Sequence, residues 1–225
     1  MYKDFLILFS LILVHELGHF LVAFIFKWEL SKIAIYPFGG CVKFNEKVNR
    51  LSKEELFVLL GGPLMQMIFF LIILFCFYGL IKTRNFYLLE KYHYTLLAFN
   101  LLPIYPLDGG KLVNLIANYL LPYKKGNKLV AYFSILFIVI AIVYMKEINF
   151  TMMIIFLLID LFLYLKRQDY LYNKFLLERY LHPKKYKRLK IIKNKDNMYR
   201  DRRHVIKNKN KYMTEKDYLA YRFNK

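Results

Sequence analysis

At 225 residues the chain has the length of one or two domains. Its composition, 58% hydrophobic and 19% aromatic with the apolar residues gathered in long runs, argues against an ordinary water-soluble domain. A net charge of +19, from 35 Lys and Arg against 16 Asp and Glu, adds the pattern of a membrane protein with basic cytoplasmic segments.

A helix crossing a bilayer needs about 20 mostly apolar residues for a hydrocarbon core about 30 Å thick. The first such run is Phe5–Phe26. It is too long for a signal-peptide core and lacks a small-residue cleavage site. Lys27–Glu55 follows as a mixed polar loop, in which the alternation and the Pro37, Gly39 and Gly40 breaks of Lys32–Phe44 predict a short hairpin folded back to the membrane. Leu56–Ile81 is the second run, and residues 82–91 read as a loop. Tyr92–Leu121 is a third span interrupted by Pro103, Pro106, Asp108, Gly109 and Gly110. Such a break is tolerated at membrane depth where the freed backbone lines a protein cavity. Leu129–Met145 and Ile148–Leu165 complete five spans, with a short turn at Lys146–Glu147. The expected fold is therefore an all-α polytopic membrane protein of about five spans, one broken, with a membrane-associated β-hairpin. Residues 1–181 form the membrane domain and 182–225 a basic cytoplasmic tail. The tail carries 16 Lys and Arg against 4 Asp and Glu and reads as weakly structured. With that tail inside, loops 27–55 and 122–128 also fall in the cytoplasm and the N-terminus outside; the basic residues of 82–91 run against the rule.

Cys41 and Cys76 make neither a disulfide framework nor a CxxC metal site. The chemistry lies in His15-Glu16-Leu17-Gly18-His19. Histidines at i and i+4 share one helical face and can ligate one zinc ion at ~2.0–2.1 Å. A glutamate beside the first histidine can act as general base on a water activated there. Gly18 lets another helix approach closely. An acid in the middle of a membrane helix costs about 2.5–3.5 kcal/mol on insertion scales, so an accidental HExxH is expensive in this run. A catalytic zinc site has three protein ligands, and Asp108 in the broken span is the candidate third. The alternative is that Asp108 caps the helix resuming at Gly109. Asp160 is a competing intramembrane acid, read as a salt-bridging residue. Asn100 can hold an oxyanion or the substrate backbone, or simply make an interhelical contact. His93 reads as interfacial, and His182 and His204 have no helical partner at ligand spacing.

Together, HELGH at 15–19, Gly61-Gly-Pro63 and NLLPIYPLDG at 100–109 resemble the site-2 protease family of intramembrane metalloproteases. Tyr36-Pro-Phe-Gly-Gly40, Pro106-Leu-Asp-Gly-Gly-Lys111 and Phe175-Leu-Leu-Glu-Arg-Tyr180 are similar to its sporulation branch, whose substrate is a sigma-factor precursor. The resemblance implies Zn2+ on His15, His19 and Asp108, with Glu16 catalytic. It also implies Asn100, Gly39 and Gly40 at the oxyanion and substrate, a membrane-tethered substrate, and an inhibitory membrane partner. That branch carries a further N-terminal span and a nucleotide-sensing CBS domain. Here the chain starts almost at HELGH and the tail is short and basic, so regulation by ATP through such a domain is not expected. The bilayer is the basic tail's expected partner, and no nucleic acid is expected. Two rivals remain open: a non-hydrolytic zinc carrier, which has no need of Glu16, and a pseudoprotease.

Overall fold

The computed structural model describes residues 2–36, 39–44, 49–77, 83–144, 148–184, 186–193, 196–208 and 211–223. Pro37 of the glycine-rich motif and the turn at Lys146–Glu147 lie outside them. The chain divides into two compact units: residues 1–46 with 53–102, and residues 47–52 with 103–225.

The first unit holds helix α1 (Tyr2–Ile25), strands β1 (Leu30–Tyr36) and β2 (Gly39–Phe44), and helices α2 (Ser52–Phe77) and α3 (Thr83–Asn100). On α1 the buried positions Leu11, His15, Gly18, His19 and Ala23 follow the 3.6-residue period and form one stripe. Leu13, Leu17, Leu21 and Phe24 are exposed on the remaining surface. The helix ends in a Schellman motif: the Trp28 amide donates to the Ala23 carbonyl at 2.9 Å and Lys27 to Phe24 at 2.9 Å. Lys27 takes the left-handed φ of 55° that glycine usually supplies there. β1 and β2 pair antiparallel, Tyr36 opposite Gly39 and Leu30 opposite Phe44, as the hairpin expected between 32 and 44. Leu11, Phe70 and Leu89 form the buried core of α1, α2 and α3.

Helix α3 starts at Thr83, so much of the expected 82–91 loop is helical. Phe86, Leu89 and His93 recur at helical spacing and face Phe70, whose ring centroid lies 6.4 Å from Phe86 and 4.3 Å from His93. That packing draws the helix two turns beyond its apolar run.

The second unit comprises α4 (Asp108–Leu120), α5 (Tyr123–Tyr144), α6 (Ile148–Lys166) and α7 (Gln168–Leu181). These are followed by β3 (Leu189–Ile192), β4 (Arg203–Asn208), β5 (Lys211–Thr214) and α8 (Glu215–Phe223). β3 runs parallel to β4, and β4 antiparallel to β5. Among the described residues α1, α2 and α5 are long and apolar enough to cross a membrane.

The weakly structured tail needs correction, and the mostly helical fold carries a small sheet besides the expected hairpin. Strands β3, β4 and β5 form a three-stranded sheet, followed by helix α8. Ile192, Met198, Ile206, Tyr218 and Leu219 bury against Tyr123 of α5 and Tyr172, Phe175 and Leu176 of α7. The tail supplies too few apolar residues for a core of its own and completes it with side chains from elsewhere.

Candidate metal centre

His15 and His19 lie one turn apart on α1 and are almost wholly buried. Each imidazole is anchored through Nδ1. His19 Nδ1 is 2.7 Å from the Val58 carbonyl oxygen on α2. A carbonyl only accepts, so His19 Nδ1 carries the proton and Nε2 keeps its lone pair. His15 Nδ1 is 3.0 Å from Gln66 Oε1, also on α2. The two Nε2 atoms then face one another at 3.2 Å. Two lone pairs at that separation repel unless a cation lies between them. Two ligand nitrogens of a tetrahedral zinc, each at ~2.0–2.1 Å, are roughly 3.3–3.4 Å apart. The donor pair therefore fits zinc in spacing, tautomer and burial.

Glycines make the space. A Cβ on Gly62 would run into His19 Nε2 and stand 2.8 Å from His15 Nε2. A Cβ on Gly18 would run into the Gly61 carbonyl, and one on Gly61 would lie 2.7 Å from the Gly18 oxygen. The backbones of α1 and α2 thus touch, the close approach expected at Gly18. Pro63, inside α2, brings no N–H to the helix ladder.

Glu16 is half-buried on α1, beside His15. Asn100, the last residue of α3, places its amide nitrogen 3.3 Å from His15 Nε2. This puts an amide donor beside that nitrogen. Gly39 and Gly40 open β2, paired with Tyr36 and Ile35.

Asp108 belongs to the second unit. It is buried as the first residue of α4, after an extended Leu107 that makes no side-chain cap bond. It stands in the first turn of α4, where a carboxylate also suits the helix N-terminus. Its Oδ1 pairs with Lys111 Nζ at 3.0 Å. The preceding loop is held by the Tyr105 amide on Ser134 Oγ at 2.9 Å, and Gly110 lies against the Ile104–Tyr105 backbone where a Cβ has no room.

Several polar roles had no spacing signal in the sequence. Gln66 is wholly buried and His93, expected at the interface, is buried beside it. His204 is also buried, donating from Nδ1 to Glu215 at 3.0 Å and accepting the Tyr199 amide on Nε2 at 2.9 Å. It serves structure in the C-terminal lobe. Asp160 is half-buried in α6.

Residues 4–93 match the model of peptidase family M50. The solved site-2 protease from Methanocaldococcus jannaschii superimposes with a TM-score of 0.53 at 29% identity, over 72% of this chain and 74% of that one. Over these stretches the chain is similar to a site-2 protease and to peptidase family M50. Stage IV sporulation protein FB of Bacillus subtilis (strain 168) is 35% identical over 184 residues, 79% of this chain and 64% of that protein. A zinc metalloprotease of Methanocaldococcus jannaschii is 32% identical over 133 residues, 56% of this chain and 38% of the relative. The chain thus spans just under two thirds of the first relative's length and well under half of the second's. Zinc is the metal in the relative's name, and the histidine pair suits it.

Proposed function

We propose that the protein is an intramembrane zinc metalloendopeptidase. It hydrolyses a peptide bond in or near the membrane segment of a membrane-tethered substrate. The observation that carries this reading is the buried His15–His19 pair, with Nε2 atoms 3.2 Å apart and both Nδ1 atoms anchored, on a helix of membrane-crossing length. His15, His19 and Asp108 would hold the zinc; all three are buried. When bound, zinc supplies a Lewis acid that polarises the scissile carbonyl and brings the pKa of water towards ~7. Glu16 takes the proton of the attacking water and returns it to the leaving amine. Asn100 donates its amide N–H to the developing oxyanion. A helical substrate hides its scissile carbonyl and must unwind. The β1–β2 hairpin has two strands among the described residues, so the strand opened by Gly39 and Gly40 can pair with the extended substrate.

The positive-inside pattern supports a multi-pass arrangement of about five spans with the site open to the cytoplasm. Residues 182–225 add a basic cytoplasmic extension that meets anionic lipid. The relative's sporulation name, with the branch resemblance at Tyr36–Gly40 and Pro106–Lys111, supports a sporulation sigma-factor precursor as substrate. An inhibitory membrane protein is the expected regulator.

The test compares the purified wild type with Glu16→Gln, measuring bound zinc and cleavage of a membrane-tethered substrate together. Both forms should hold about one zinc, with cleavage lost by at least ~100-fold in the variant. Zinc without cleavage in both forms across a substrate panel would favour a carrier or pseudoprotease. No zinc in the wild type would remove the site.

A further inference from the structure

We propose that Gln66 is a positioning residue that fixes the tautomer and aim of His15. The inference rests on the zinc reading of the histidine pair and extends it to a residue that no catalytic motif contains. Gln66 sits on α2 and is 0% exposed. Its Nε2 donates to the backbone carbonyl of His93 at 3.0 Å. That carbonyl accepts only, so it orients the amide: the NH2 group must face α3 and Oε1 must face α1. Oε1 stands 3.0 Å from His15 Nδ1. His15 is therefore obliged to carry its proton on Nδ1 and to present the Nε2 lone pair towards His19.

The second end of the amide is also enclosed. Gln66 Nε2 lies 3.3 Å from His93 Nδ1, and the His93 ring stacks at 4.3 Å and 9° on Phe70, one helical turn after Gln66. The side chain that aims His15 is itself held by main chain and by a stacked ring. His19 needs no such residue, because the Val58 carbonyl does the same work from the backbone. His15 thus takes its Nδ1 partner from a replaceable side chain and His19 from the backbone. Outer partners of this kind typically change metal affinity 10–100-fold when removed.

Gln66→Met keeps the length and removes the acceptor, whereas Gln66→Glu keeps an acceptor at the same place. In the purified full chain, zinc affinity by chelator competition should fall 10–100-fold in Gln66→Met and recover to within about fivefold of wild type in Gln66→Glu. The absorption spectrum of the cobalt-loaded protein should shift in the Met variant alone. Equal affinity and an unchanged spectrum in Gln66→Met would overturn the role, as would equal damage in both variants. Independently of any variant's folding, nitrogen chemical shifts of the metal-free wild type should show His15 protonated at Nδ1. The opposite tautomer would overturn it. A wild type that binds neither zinc nor cobalt would instead sink the metal reading itself, and this role with it.

Discussion

At Gly62 the absence of a single carbon decides whether two imidazoles can stand edge to edge. A methyl group there would occupy the space of His19 Nε2 and crowd His15 Nε2. Gly62→Ala should lower zinc affinity at least ~10-fold while leaving helical content unchanged, because alanine costs a helix nothing in propensity. Zinc titration alongside circular dichroism checks this, and retained affinity would show that the ring edges can move aside. The HExxH spacing was legible because i and i+4 meet on any helix. Gln66 and His93 were not, since neither stands at a fixed interval from HELGH. The signal available was cost: an amide and an imidazole in neighbouring apolar helices are expensive unless each is the other's partner.

Between elements, the first unit is organised by backbone contact. Gly18 and Gly61 bring α1 and α2 together so closely that neither position has room for a Cβ. This is the small-residue packing on which membrane helices rely when lipid offers no hydrophobic drive. Gly18→Val should push the helices apart at a cost of about 1–3 kcal/mol. Unfolding in mixed detergent micelles would report it as a lower midpoint, and an unchanged midpoint would refute the contact. The second unit uses polar rungs instead. Asn114 donates to the Tyr164 hydroxyl at 2.8 Å, Asn118 to Asn127 at 2.9 Å, and Asn118 also to Asn114. These tie α4 to α5 and α6. The apolar runs announced α1, α2, α5 and α6 at nearly their observed places. The first two turns of α3 were hidden because their apolar residues are spaced for one face of a helix rather than packed into a run.

For the molecule as a whole, charge concealed a fold. Residues 189–223 looked like solvated tail because their apolar side chains are few and the rest of their core comes from α5 and α7. Within the motif Phe175–Tyr180, Phe175, Leu176 and Arg179 are buried, and the two apolar side chains belong to that core. Arg179 is buried and reaches Glu215 at 2.5 Å and the carbonyls of Arg200 at 2.8 Å and Arg202 at 2.6 Å. Burial alone would raise the Glu215 carboxyl, but hydrogen bonding from His204 and the Arg179 guanidinium outweigh it and hold it at about 2. Burial pushes His204 below its ordinary 6.5, against the pull of Glu215. A proton on its Nε2 would also displace the Tyr199 amide. His204 is thus neutral in the fold and charges more readily once unfolded, so its contribution is complete above about 6.5 and lost as pH falls below that value. Glu215 adds a second loss between its ordinary 4.5 and about 2. Amide protection factors, with the slower intrinsic exchange at low pH divided out, should accordingly fall several-fold in β4, β5 and α8 at pH 5 relative to pH 7.5, with α1 unaffected. An equal fall in both would assign the effect elsewhere.

The short stretch 49–52 has a consequence in time. Asn49 donates its amide to Glu178 and accepts the Tyr186 hydroxyl, each at 2.9 Å, while the Arg50 carbonyl accepts from Arg200 at 3.1 Å. These partners stand 129 to 150 residues further along the chain. At the ribosome, adding about 5–20 residues per second, the stretch emerges roughly 6–30 s before the groups that hold it. The hairpin and both histidine-bearing turns are already made by then, while the link into α2 still lacks its fastening. A nascent chain stopped short of Glu178 would possess every atom of the histidine pair and none of the groups that hold Asn49 and Arg50.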